Sequence, residues 1–317
     1  MSNVLEFRDT VVTFEANAGI LSRISGSVRR FNAVDRVSLD VRKGEILGIV
    51  GESGSGKTTI CKAALGLHAI SGGTITQDGR ALALNDGSLQ MVFQDPLSSL
   101  NPRHTIGHAV EVPLRLHGTE PGDLARRVEE LLGDVGLPPQ FRNRYPHQLS
   151  GGQLQRVAIA RALATGPRVL FADEAVSKLD VSVRAQVLNL LKRLRDSHDL
   201  TIVFVTHDLH VARFLCDRIA VMYFGKLLEI GPTRDIYDKP CHPYTEALLG
   251  TLQKGNRRPT STRDVFNPMR DDLAACRYLN RCPHVMPACR ERHPEHRRCG
   301  VGRTVACHLH QGEEASR

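Results

Sequence analysis

Gly51-Glu52-Ser53-Gly54-Ser55-Gly56-Lys57-Thr58-Thr59 decides how this chain is read. Before it stands Glu45-Ile46-Leu47-Gly48-Ile49-Val50, short, apolar and rich in β-branched residues, the composition of a buried strand. After it, Ile60-Cys61-Lys62-Ala63-Ala64-Leu65 reads as the first turns of a helix. Strand, glycine-rich turn and helix form the context in which G-x-x-x-x-G-K-[ST] is a phosphate-binding loop. Gly51, Gly54 and Gly56 let the backbone curl, so that successive N–H groups from Ser53 onward point at phosphate oxygens near the helix N-terminus. Lys57 is placed to reach the β- and γ-phosphates, and the Thr58 hydroxyl, next to Thr59, to hold Mg²⁺. The stretch is that of a nucleoside triphosphate site.

Composition limits the rest. The 317 residues, 41% hydrophobic, suffice for one large or two ordinary domains. The start lacks a basic segment followed by an apolar one, and no apolar run approaches the ~18 residues that span a bilayer. A cytosolic chain able to dock on a membrane partner is expected. The net charge of +8 is uneven: from Lys254 onward there are 13 Lys/Arg against 7 Asp/Glu. That basic tail is either a contact for a polyanion or a solvated extension. Cys276, Cys282, Cys289, Cys299 and Cys307 crowd the same end, which in a cytosolic chain argues for metal rather than disulfides.

Taken in order, the apolar runs Val4–Phe7 and Val11–Phe14 and the alternating Val37–Val41 suggest an antiparallel β layer. Phe31, just before its last strand, is either a platform for an adenine ring or a core residue. Leu89–Phe93 is a strand ending at Gln94, on a loop broken by Pro96 and Pro102. From Gly107 to Gly136 apolar residues recur at helical spacing, which predicts an inserted helical subdomain over about 95–165. Leu149-Ser150-Gly151-Gly152-Gln153 then opens an Ala-rich helix, a second place where backbone donors can meet phosphate. Val169–Asp173 is a buried strand running into Glu174, and Thr201–Thr206 a further strand ending at His207.

Phosphate loop, Gln94, Leu149–Gln153, Asp173-Glu174 and His207 occur in the order and spacing of an ATP-binding-cassette (ABC) transporter's nucleotide-binding subunit, which residues 4–250 resemble. Gln94 through Asn101-Pro102, together with His242-Pro243-Tyr244-Thr245, resembles the oligopeptide/dipeptide/nickel importer branch. The resemblance implies an α/β P-loop NTPase (RecA-like) core over 1–250, with an antiparallel β layer and the helical insert. It implies that Asp173 orients Mg²⁺ through waters and that Glu174 polarises the attacking water. His207 then contacts the γ-phosphate, and Gln94 senses it. Ser150, Gly151, Gly152 and Gln153 face a nucleotide held by a second ATPase subunit, so a lone chain hydrolyses ATP poorly. The other partners implied are two transmembrane permeases and a periplasmic or extracellular substrate-binding protein, with the chain peripheral at the cytoplasmic face of the inner membrane. Nucleic acid is not an expected partner.

Two features qualify this. Ala175, Val176 and Lys178 replace the Pro, Thr and Ala usual after the paired carboxylates, a form reminiscent of nickel importers. The alternatives are therefore a nickel importer, or a soluble ABC ATPase acting on nucleic acid or in an enzyme complex. In the extension at 251–317, Cys276, Cys282, Cys289 and Cys307 resemble the tail of peptide-importer ATPases that carry a [4Fe–4S] cluster. Four thiolates suit that cluster or Zn²⁺, with Cys299, His284, His293, His296 and His308 as substitutes or bystanders.

Overall fold

Residues Asn3–Glu15 form one strand, β1, where the sequence suggests two short runs. The polar Arg8-Asp9-Thr10 interruption is absorbed by an irregularity in pairing between Arg8 and Val11, with Asp9 at φ 44°. The Asp9 N–H donates to Ser38 Oγ at 2.8 Å instead of to a ladder partner. The computed structural model describes residues 2–15, 30–84, 86–253, 266 and 274–310. Residues 254–265, 267–273 and 311–317 of the basic tail expected from Lys254 onward therefore lie outside the described residues.

The chain divides into two units, each assembled from separate stretches: Met1–Val4, Val41–Ile46 and Ala81–Thr206 in the first, Leu5–Asp40, Leu47–Arg80 and His207–Arg317 in the second. In the second, β1 lies between β2 (Arg30–Arg42) and β4 (Gly72–Gln77), with the short β5 (Arg80–Ala81) beyond. This is the expected antiparallel layer. Strand β3 (Ile46–Val50) is buried along its length and leads through the phosphate loop to α1 (Lys57–Ala64).

The first unit holds three parallel strands, β6 (Leu89–Val92), β7 (Val169–Asp173) and β8 (Thr201–Thr206), with Leu89 opposite Val169 and Val169 opposite Thr201. Between β6 and β7 come α2 (Ile106–Leu116), α3 (Leu124–Asp134) and α4 (Gly151–Leu163), packed on one another. The stretch of helical spacing from Gly107 to Gly136 comprises two helices, parted at Gly118 with φ 82°. Val128, Leu131 and Leu132 are buried on α3, as their spacing requires. Helix α5 (Val181–Ser197) precedes β8.

The remainder of the second unit runs α6 (Leu209–Leu215), β9 (Arg218–Tyr223), β10 (Lys226–Pro232), α7 (Thr233–Asp238) and α8 (Pro243–Gln253). It closes with α9 (Pro287–Glu291), β11 (Arg297–Arg298) and β12 (Thr304–Val305). Strand β9 pairs with β3 in parallel and with β10 in antiparallel fashion. Strand β12 extends the edge of β10, pairing Val305 with Glu229, so the cysteine-bearing extension is built onto the nucleotide-binding sheet.

Candidate nucleotide site and cysteine pocket

The loop 51–56 winds around the Lys57 ammonium. Lys57 Nζ donates to the carbonyls of Gly51 at 2.9 Å and Glu52 at 2.8 Å and to Ser55 Oγ at 3.3 Å. Gly56 must be glycine, because it has φ 99° and a Cβ there would stand 2.3 Å from the Ala33 carbonyl oxygen. Ala33 lies on β2, two residues beyond Phe31, so the strand carrying the candidate adenine platform backs directly onto the loop. Phe31 itself has its ring 6.1 Å from that of Phe14.

His207 lies in the same unit, exposed at the end of β8. The next residue fixes the turn there: Asp208 caps α6, its Oδ1 accepting from the N–H of His210 at 2.9 Å and of Val211 at 3.4 Å.

In the first unit, Asp173 is buried at the end of β7 and Glu174 follows with φ 46°, a left-handed conformation costly for a residue with a Cβ. Its N–H stays bonded to the Val205 carbonyl at 3.0 Å. Gln94 Nε2 donates to that carboxylate at 2.9 Å and to Ser177 Oγ at 3.4 Å, and Ser177 Oγ donates to the Glu174 carbonyl at 2.9 Å. Gln94, Glu174 and Ser177 are thus one hydrogen-bonded group.

The signature stretch opens α4. The Ser150 side chain accepts from the Gln153 N–H at 3.4 Å, and Gln153 Oε1 accepts from the Ser150 N–H at 3.0 Å, a capping box that leaves the helix start exposed. A Cβ on Gly152 would stand 2.3 Å from Val183 Cγ1 on α5, so only glycine lets the two helices meet there.

Cys276, Cys282, Cys289 and Cys307 line a single pocket with His242, His284 and His308. The Cys276 N–H donates to the Cys289 carbonyl at 2.9 Å, which ties two of the four positions together. Burial pushes the thiol of Cys276 up to about 12 and that of Cys307 up to about 11, so thiolates there require a compensating cation. Cys299 belongs elsewhere. With Cys241 and Glu229 it forms a group whose ligand atoms all lie within 4.8 Å. Glu229 is already saturated, accepting from Arg303 Nε at 3.0 Å and from the N–H groups of Cys241 at 2.9 Å and His242 at 3.1 Å. The guanidinium occupies the place of a cation, and the group is a buried ion pair.

Sequence reasoning missed four residues that join this pocket to the nucleotide side of the unit. Arg281 is ion-paired with Glu52 inside the phosphate loop at 3.1 Å. Arg277 reaches Asp35 on β2 at 2.6 Å, where Lys226 also binds at 3.0 Å. Burial raises the Asp35 carboxyl, but Lys226 and Arg277 outweigh it and hold the group below its ordinary value. The only signal in the sequence was a carboxylate inside a phosphate loop, a place where negative charge is unhelpful unless neutralised.

Comparison with known proteins places the geometry. A family model described as "ABC transporter" matches residues 34–177, and one described as "Oligopeptide/dipeptide transporter, C-terminal region" matches 228–289. The oligopeptide transport ATP-binding protein AppF of Bacillus subtilis is 41% identical over 324 aligned positions, covering 97% of each chain. The chain belongs to the ABC transporter family. Within that family it is an ATP-hydrolysing subunit whose work is coupled to transport. The glutathione import ATP-binding protein GsiA of Escherichia coli is 47% identical over 85% of this ABC subunit, which spans 44% of that longer protein. A solved ATP-binding cassette, MJ0796, in a dimeric post-hydrolysis state bound to ADP and Pi, superposes with TM-score 0.61 at 31% identity over 73% of this chain and 99% of that one.

Proposed function

We propose that this chain is the ATPase motor of an importer for di- and oligopeptides. The observation that carries the reading is the end-to-end likeness to AppF, 97% of both chains, together with the match to the oligopeptide/dipeptide C-terminal region. In this reading residues 1–250 are the ATPase domain, with helices over about 95–165 as its subdomain, and 251–317 the extension. Lys57 and the loop amides bind the triphosphate. The Thr58 hydroxyl and the Asp173 carboxylate are hard oxygen donors that suit Mg²⁺. Glu174 accepts a proton from the attacking water, His207 meets the γ-phosphate, and Gln94, bonded to Glu174, passes its state outward. Ser150, Gly151, Gly152 and Gln153 serve the nucleotide of a second ATPase subunit.

Two transmembrane permeases are the partners, with a substrate-binding protein outside. No helix among the described residues is long and apolar enough to cross a membrane, which suits a peripheral subunit on the cytoplasmic face. A groove of about 300 Å³ beside Gln90, lined by Leu100, His104, Val112 and Leu116, supports permease docking on this helical face, and Leu116 there is 79% exposed.

The four tail cysteines fit a sulfur-ligated metal centre. Four thiols lining one pocket suit either a [4Fe–4S] cluster or Zn²⁺, and the likeness of the extension to peptide-importer ATPases favours the cluster. Such a centre would supply the charge that stabilises the buried thiolates.

Purification of the tagged protein from its own cells in mild detergent tests the assignment. Two multi-span permeases and a related ATPase should co-purify. A soluble complex without membrane subunits would overturn the importer reading.

A further inference from the structure

Two arginines leave the cysteine pocket toward the nucleotide side of the same unit. Arg277 follows Cys276 directly, and Arg281 precedes Cys282. Between them Tyr278–Cys282 is a tight turn, the Arg281 N–H donating to the Tyr278 carbonyl at 3.1 Å and that of Cys282 to the Leu279 carbonyl at 3.4 Å. A shift of Cys282 therefore carries Arg281 with it.

Arg281 Nη1 grips both Glu52 oxygens, at 3.1 and 3.2 Å. Glu52 is the second residue of the phosphate loop, and its own N–H donates to the Tyr244 hydroxyl at 3.0 Å. That amide is thereby committed to Tyr244. The rings of Tyr223, Tyr244 and Tyr278 pack behind the loop with centroids 4.5 to 5.5 Å apart, which makes the contact stiff. Arg277 meanwhile fixes Asp35 on β2, two residues from the Ala33 carbonyl that abuts Gly56.

The charge balance gives this arrangement a consequence. Glu52 places a carboxylate in a loop whose ligand is a polyanion. Arg281 cancels that charge and holds the carboxylate on the side of the extension. Without Arg281 the bare carboxylate opposes the triphosphate through the intervening loop.

We propose that Arg281 is a positioning residue through which the four-cysteine centre sets nucleotide affinity, by neutralising and fixing Glu52 in the phosphate loop. The link to the centre rests on the reading that the four cysteines hold metal. The Arg281–Glu52 half does not.

The test measures the dissociation constant of a fluorescent ATP analogue with Mg²⁺, alongside iron and zinc content per chain, on the full-length protein. Arg281→Ala should weaken binding about fivefold, the upper range for a partly exposed ion pair, with metal content unchanged. Adding Glu52→Gln to Arg281→Ala should restore affinity to within about twofold of wild type, since no bare charge is left. A merely structural role would give no such rescue. Cys282→Ser, or removal of the metal from the wild type by a chelator, should weaken binding by about the same factor, and Arg281→Ala should add nothing further in that background. Wild-type affinity in Arg281→Ala, or no rescue by Glu52→Gln, overturns the positioning role. Unchanged affinity in metal-free protein overturns the link to the cysteines. A wild-type chain that binds no metal overturns that link together with the metal reading, and leaves the Arg281–Glu52 half to be decided by its own variants.

Discussion

Gln94 and Glu174, 80 residues apart in sequence, share a hydrogen bond of 2.9 Å in which the amide donates to the carboxylate. The residue proposed to sense the nucleotide thus holds the residue proposed to activate water. Glu174 is kept there with a left-handed backbone, anchored by Val205 on one side and Ser177 on the other.

Glu174→Gln removes the base but keeps the shape and the contact to Gln94. ATP binding should stay within about twofold, while turnover of the assembled transporter falls at least about 100-fold. Near-normal phosphate release would take Glu174 out of its role.

Gln94→Glu sets two carboxylates within hydrogen-bond distance. Like charges repel, so the pair loses the hydrogen bond that the amide makes, and turnover should fall by at least about tenfold while ATP binding is kept. Unchanged turnover would mean the two side chains part in the working complex.

Gly152→Ala puts a methyl group where Val183 stands, 2.3 Å from its Cγ1. A loss of about 1–3 kcal/mol in urea unfolding is expected, most of it recovered by adding Val183→Ala. Equal losses in the single and double variants would show that the contact with Val183 is not the source of the loss.

His242 is 2% exposed and accepts from the Tyr244 N–H through Nδ1 at 2.9 Å. Burial lowers its pKa to about 3, with His310 and His296 adding to the effect. The folded chain keeps this imidazole neutral while the unfolded chain protonates it below pH about 6.5, so stability declines as pH falls from there toward about 3. Thermal melting should show this decline, with a slope up to about 1.4 kcal/mol per pH unit, and His242→Asn should flatten it. Equal slopes in both proteins would assign the acid sensitivity to other groups.

Much of this site was legible because its parts are local. Strand β3, loop and α1 follow one another without interruption, and Ser150 with Gln153 is a capping box written three residues apart. Cys276, Cys282 and Cys289, six and seven residues apart, were legible as a set for the same reason, and Cys307, 18 residues on, joins them in one pocket through the fold. What escaped was set by tertiary contact. Glu52 and Arg281 are 229 residues apart, and neither position has a local pattern that names the other. Asp9 reads as a break between two strands, because its positive φ and its bond to Ser38 depend on β2 lying alongside. Cys299 reads as a substitute or a bystander to the four-cysteine set, and only the fold of β10 against β12 decides it, setting the thiol beside Cys241 and Glu229.

The motor assignment is tested most directly by peptide uptake into proteoliposomes holding the purified transporter, with ATP inside the reach of this subunit. Labelled tripeptide should accumulate with the wild-type chain and ATP, and should fail to accumulate when the chain carries Glu174→Gln or is left out. Uptake that proceeds equally without a hydrolysing copy of this chain would contradict the account.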